Sequence, residues 1–299
     1  MYTKFIISIC FILLLTSCED KFTQVKTFDF PEHEEQLAIT NLTRSGRFPI
    51  PFISHSKAID DDSPYDTIMD ARINFYRDGE FLFDYSHFNA GGYVPNVIVA
   101  ERLADTIQFG HTYKMEVMHD KYNTSVAEQR VPHNAEIIDM EYTIDGTTNE
   151  YGDPLDLLEV TIKDDGSESN FYSIRAFVSG IDQNGNPQAN DLWAENQDLL
   201  VEYGFSNEYI PDITFNGNEY VIRLGIWQNF RLNNFQSIDF IQVYIRSFSK
   251  DYYLYDISKE LNDEAMYNPF VEPVLVHSNF SQGYGIFGLF NQTTERLDW

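Results

Sequence analysis

Ala71-Arg-Ile-Asn-Phe-Tyr76, then Arg77-Asp-Gly-Glu80, then Phe81-Leu-Phe-Asp-Tyr85, is the stretch that decides the fold. The first and last segments alternate apolar and polar residues, so each puts one face towards a core and the other towards water. The Asp78-Gly79 pair between them tolerates positive φ at both positions, as a tight hairpin turn requires. The stretch therefore predicts two antiparallel strands and a β-protein. On its N-terminal side, Leu37–Leu42 reads as a first strand and Pro49–Ser54 as a second, whose prolines suit an edge. On its C-terminal side, Thr112–Met118 is another alternating strand, with Asn123–Val131 as its partner. Short strands at this spacing, with no helical run between them, predict an immunoglobulin-like β-sandwich over residues 37–133.

Val131-Pro-His-Asn134 reads as a boundary, and residues 134–299 as a second β-rich domain. Ile137–Tyr142 opens it. Leu157–Ile162 and Asn170–Val178 flank Asp164-Asp-Gly166 and read as a second hairpin. Residues 181–219 are rich in Asn, Asp, Gly and Gln and predict long loops with one short helix. Tyr220–Leu224 and Ser237–Arg246 are strands. After Ser249, a candidate N-cap, the period changes: Tyr253, Leu254, Ile257 and Leu261 fall at helical spacing and predict a helix near 250–261. Asn268–Pro273 reads as extended.

The start of the chain has a different character. Lys4 precedes an apolar run from Phe5 to Leu15, too short for a membrane-spanning helix of about 20 residues. It has the length of a signal-peptide core. Leu15-Thr-Ser-Cys18 then resembles a bacterial lipobox. This predicts a signal peptide over 1–17, cleavage before Cys18, acylation of Cys18, and an acidic tether over 18–36. A multiply acylated cysteine suffices for stable anchoring. The two cysteines are Cys10 and Cys18. One leaves with the signal peptide and the other carries lipid, so the mature chain has no thiol left for a disulfide, a thiolate metal site or a catalytic nucleophile. The 47 acidic residues outnumber the 20 basic ones, for a net charge of −27, the wrong sign for nucleic-acid binding.

Candidate chemistry is sparse. Gly283, Gly285 and Gly288 spell a Gly-x-Gly-x-x-Gly string, but too little chain follows for the strand–helix–strand unit of a dinucleotide site. Close strand packing or a bulge accounts better for those glycines. Asp60–Asp62 lacks the alternating spacing of a calcium loop and reads, like Asp153, Asp156, Asp164 and Asp165, as solvated acid. The seven histidines show no metal-ligand spacing, although His111 and His119 could share a strand face. No Gly-x-Ser-x-Gly elbow is present. The residues expect no catalytic group, no metal and no cofactor. Among the aromatics, Trp193, Trp227 and Tyr252 are the candidate ligand or partner contacts.

Taken together, the lipobox, Pro31-Glu-His-Glu-Glu-Gln-Leu37, Asp70-Ala71, Asn268-Pro-Phe-Val-Glu-Pro273, Ser278-Asn-Phe280 and Gly283-Tyr-Gly-Ile-Phe-Gly288 resemble the Bacteroidota lipoproteins of domain-of-unknown-function family 4249. The resemblance covers nearly the whole mature chain and is most specific in the C-terminal motif. It implies no enzymatic activity and brings no catalytic residues. It implies an outer-membrane lipoprotein that accompanies a TonB-dependent-receptor-like barrel in ligand capture or nutrient import. The alternative is a structural or assembly subunit of a surface complex with no small ligand. The acidic Glu19-Asp20 after Cys18 resembles the signal that sends such lipoproteins to the cell exterior.

Overall fold

A computed structural model describes residues 32–58, 61, 63–64, 66–96, 106–192, 194–197, 201–228, 235–268, 270–272 and 274–299. Cys18 and the signal peptide lie outside the described residues, as do Asp60 and Asp62. The chain divides into two units, residues 1–34 with 57–63 and residues 35–56 with 64–299. In the first, Lys57 pairs with Asp61 at 3.7 Å and the Ser63 amide donates to the same carboxylate at 2.9 Å. Everything that follows concerns the second.

The fold is mainly β, in a sandwich-like layout with one helix near the C-terminus. Its first strands are β1 (Leu37–Arg44), β2 (Phe52–His55), β3 (Arg72–Arg77), β4 (Glu80–Asn89), β5 (Gly92–Pro95), β6 (Thr112–His119) and β7 (Tyr122–Arg130). Then come β8 (Glu136–Thr148), β9 (Pro154–Lys163), β10 (Phe171–Asp182), β11 (Pro187–Asp191), β12 (Ala194–Asn196), β13 (Glu202–Tyr203), β14 (Glu208–Pro211) and β15 (Glu219–Ile226). Last are β16 (Phe235–Phe248), helix α1 (Lys250–Tyr267) and β17 (Tyr284–Asp298).

The deciding hairpin forms as its residues dictate. Phe75 lies opposite Phe83, and Asp78 and Gly79 take φ of 51° and 84° in the turn. The inward row stacks Phe75 on Phe83 at 5.2 Å and on Tyr113 at 5.5 Å between ring centroids. Full burial of Phe75 contributes about 2–3 kcal/mol. The β6–β7 hairpin also forms. Strand β2 is not the edge its prolines suggested: it lies inside the sheet between β1 and β5, and Pro49 and Pro51 precede the strand, with the Pro51 carbonyl accepting from the Tyr93 amide at 2.9 Å.

Among the described residues, one sheet runs β13-β14-β10-β16-β17-β1-β2-β5-β4-β3-β6-β7, with β11 also on β10. A second runs β12-β15-β9-β8. The expected hairpin of Leu157–Ile162 with Asn170–Val178 is not made. β9 pairs with β8 and β15, whereas β10 pairs with β16 in the other sheet. The reason lies in the link. Asp164 is buried and accepts from the Tyr172 hydroxyl at 2.5 Å and the Gly217 amide at 2.6 Å, which ties the chain across the layers instead of turning it within one. The region 181–219, expected as loops, carries four short strands and a three-residue 3-10 turn at Asp212–Thr214.

Two large cores result. One gathers residues from Leu37 to Val131 with Phe280, Phe287 and Leu289. The other fills the space between the two sheets, from Ala135 to Ile245. The C-terminal strand β17 pairs in parallel with β1 and antiparallel with β16, so it borders the residues on both sides of position 133. The glycine string serves this pairing. A Cβ on Gly285, at φ 123°, would lie 1.8 Å from the Ile39 carbonyl oxygen, and one on Gly283 would lie 2.3 Å from that of Leu37.

Helix α1 follows β16 directly. Ser249 holds the N-cap position, with φ −62° and ψ 149°, but its hydroxyl accepts from the Leu289 amide at 3.3 Å and does not cap the helix. The helix runs to Tyr267, past the expected end, and its buried residues are Tyr252, Asp256 and Ser258. Leu261, expected on the buried stripe, is 41% exposed.

Candidate functional site

One recess begins as an irregularity in strand pairing. β16 covers one side of β10 along its length. On the other side β14 reaches only Phe171 and Tyr172, and β11 begins at Phe177. Among the described residues, Ser173–Ala176 therefore have no strand on that side. The Ala176 carbonyl accepts from the Leu192 amide at 2.9 Å, so Ile174, two residues earlier, presents its own amide and carbonyl towards the same gap. A groove of about 450 Å³ opens there.

The walls come from the loop that joins β13 to β14. Asp256, buried on α1, accepts from the amides of Ser206 at 3.0 Å and Asn207 at 3.1 Å and from the Tyr209 hydroxyl at 3.0 Å. That carboxylate fixes the loop, and with it the exposed rings of Tyr203 and Phe205 at the lip. Lys259 Nζ sits 3.2 Å from the centre of the Phe205 ring, and the Tyr253 hydroxyl donates to Glu202. Burial and then the Asp256 charge push the Tyr209 phenol well above its ordinary range, so it stays a neutral donor. Ala176, Leu192 and Leu224 give the groove an apolar lining. Arg175 and Glu208 supply charge, and the Arg175 guanidinium reaches the Ser206 carbonyl at 3.4 Å. Ser173 also lines the groove, and its hydroxyl is buried with no hydrogen-bond partner among the described residues.

A second concentration of titratable groups lies across β2, β6 and β7. His55 Nδ1 is 2.6 Å from the Tyr122 hydroxyl and 3.1 Å from Glu35. His119 Nε2 meets Asp70 at 3.0 Å, and its ring stacks on Tyr122 at 5.2 Å. Burial, and then the neighbouring Glu35, push the Tyr122 phenol up to about 12. His111 instead meets Asp78 in the first hairpin at 2.5 Å. Among the described residues, no group of three or more His, Cys, Asp or Glu is placed to hold a metal ion.

The three aromatics singled out in the sequence fare differently. Trp193 lies outside the described residues, although its chain neighbours Leu192 and Ala194 both line the groove. Trp227 is half-buried just beyond β15. Tyr252 is buried between helix and sheet, 4.9 Å from Phe248 and 6.0 Å from Phe290 between ring centroids, so its ring serves packing and not a surface contact. The acids need correction too. Asp156 and Asp164, expected as solvated loop residues, are buried and fully engaged, Asp156 by the Tyr142 hydroxyl at 2.7 Å and the Asp145 amide at 2.9 Å. Tyr203, Phe205 and Ser173 had no signal in the sequence beyond residue type, because the gap that joins them is a property of pairing.

No curated protein is similar enough in sequence to count as a match. The C-terminal segment that resembled a family motif is the one the fold threads between β1 and β16, with Asn279 donating to and accepting from Phe287 at 2.9 Å. A segment so tied into the sheet belongs with the strands on both sides of it, and the family profile takes them together: with residues 25–296 matched, the chain belongs to the family described as Domain of unknown function (DUF4249).

Proposed function

We propose that this chain is a non-catalytic outer-membrane lipoprotein, anchored through Cys18 and facing the cell exterior, that works beside a TonB-dependent-receptor-like barrel in ligand capture for import. The observation that carries the reading is the groove beside β10. Among the described residues it offers unpaired strand edge, an aromatic lip and an apolar lining, which are the parts of a binding recess. None of its side chains forms a nucleophile–base pair among the described residues. The lipobox at Leu15–Cys18 supports the anchor, and the acidic residues after it support export to the surface.

Purification of the full chain from native membranes in mild detergent tests the reading. A barrel of the TonB-dependent type should come with it, and recovery of the chain alone would overturn it. Cys18→Ala should abolish incorporation of labelled fatty acid and release the chain from membranes.

The alternative, an assembly subunit with no small ligand, has one observation in its favour. Met266, Tyr267, Phe270 and Leu275 are 68%, 83%, 95% and 84% exposed at and beyond the end of α1. Exposed apolar clusters of this kind mark protein contacts. If serine substitutions there abolish co-purification while Tyr203→Ser and Phe205→Ser do not, assembly is the better description.

A further inference from the structure

In a chain with 47 acidic and 20 basic residues, one groove is lined by arginines and by no acid at all. It lies on the face of β1, β17 and β16 that points away from the two large cores and encloses about 410 Å³. Its charged residues are Arg44, Arg47 and Arg246. The backbone brings them together. Arg44 ends β1, and the Arg47 amide donates to the Arg44 carbonyl at 3.2 Å, closing a turn that sets the two side by side. That turn is pinned by Ile107, whose amide donates to the Arg47 carbonyl at 3.0 Å. Across the sheet, Arg44 lies opposite Phe290 on β17, and Arg246 lies opposite Gln292, two residues further along the same face.

None of the three makes an ion pair among the described residues. The contrast with other arginines is direct: Arg72 meets Asp120 at 3.1 Å, Arg223 meets Glu159 at 2.9 Å and Arg296 meets Asp298 at 2.6 Å. Arg246 has only the Gln292 side-chain oxygen, at 3.2 Å from its Nε, and the Phe290 ring, at 5.5 Å from its Cζ. Burial, and then the positive charges of Arg175 and Arg44, hold its guanidinium below the usual arginine range. Half-buried like charges without a counter-ion are an unfavourable arrangement that a bound anion relieves.

We propose that this groove binds an organic phosphate, with its phosphoryl oxygens taken by Arg44, Arg47 and Arg246 and its apolar part resting on Leu42, Ile50 and Phe290. Guanidinium forks match phosphoryl geometry, and three of them suit a dianion with three free oxygens better than a monoanionic carboxylate. The exposed apolar side chains of Leu42 and Ile50 beside them select for an organic group over inorganic phosphate. The site is separate from the groove beside β10 and requires neither the lipid anchor nor a barrel, so its failure would leave the preceding proposal standing, and the reverse.

Calorimetric titration of the full mature chain with hexyl phosphate at low salt tests it. Saturable binding is expected, weakened about tenfold or more in R44Q/R47Q and unchanged in R296Q, a cation on the same sheet that already has its acid. Arg47 is exposed, so R47Q alone, checked by thermal unfolding, keeps the test valid if the double variant folds poorly. Absence of saturable binding, equal affinity for hexanoate, or binding that R44Q/R47Q leaves intact would each overturn the proposal. So would binding to phosphatidate vesicles with none to hexyl phosphate.

Discussion

The first core takes its last wall from the far end of the chain, whereas the second is closed by loops of its own. Between Leu37 and Val131 the side chains of β1 to β7 leave one flank open, and β17, contributing Phe287 and Leu289, fills it. Among the described residues the second core draws on residues 135–245, and its loops are held by buried carboxylates. Asp156 takes the Tyr142 hydroxyl, Asp164 takes that of Tyr172, and Asp212 takes the Asn170 amide at 2.9 Å. Long-range closure concentrates its dependence on a few backbone positions where strands approach closely. Local closure spreads it over polar knots, each satisfied separately.

The sharpest way to break the comparison is at Gly285. A valine there must place its Cβ where the Ile39 carbonyl oxygen now is, at a φ that side chains rarely adopt. Gly285→Val should cost more than about 4 kcal/mol or prevent folding. Where the chain still folds, hydrogen exchange should show protection lost in β1, β3 and β6 and retained in β9 and β15. Equal loss in both regions would mean that they unfold as one cooperative unit and that the distinction between closures has no thermodynamic content.

The same contrast explains what could be read in advance. The 71–85 hairpin was legible because its turn, its alternation and its partner all lie within fifteen residues. Strand β9 was legible as a strand, but not its neighbours: Asp164-Asp165-Gly166 looked like a hairpin turn, and the actual partners are β8 before it and β15, more than fifty residues on. Helix α1 was legible from its period, yet its buried side was misplaced, because Asp256 reads as a surface residue until the amides of Ser206 and Asn207 are found around it. Polar residues that close loops break the apolar pattern from which burial is inferred. The arginine groove left no local trace at all, since Arg44 and Arg246 become neighbours only through the register of β1, β17 and β16. The groove beside β10 is an absence of pairing, which no pattern of residue types encodes.

Asp256 extends the contrast to the helix. Its removal leaves two amides and a phenol without an acceptor in a buried site. Asp256→Ala should cost roughly 2–3 kcal/mol in chemical denaturation. The damage should be local, with proteolytic cleavage appearing near Tyr203 and Phe205 while the first core keeps its protection. A loss below about 0.5 kcal/mol would show that water takes over the acceptor role and that the knot does not hold the loop.

The smallest expected effect is conditional on pH. Burial, and then the Asp256 charge, push the Tyr252 phenol up to about 12 in the folded chain. An unfolded tyrosine ionises near 10. Below pH 10 both states hold the proton and the contribution to stability is complete. As pH rises from 10 to 12 the unfolded chain releases its proton while the folded chain keeps it, so stability drains through that window, by up to about 3 kcal/mol. Tyr252→Phe keeps the ring against Phe248 and Phe290 and removes the ionisation. Its unfolding free energy should therefore run parallel to that of the parent chain up to pH 10 and fall less steeply above it. If the two fall together throughout, the alkaline sensitivity belongs to other buried phenols, Tyr172 and Tyr209, both of which burial also raises. In that case the carboxylate knots at Asp164 and Asp256, which hold those two hydroxyls, give way before the packing beneath the helix does.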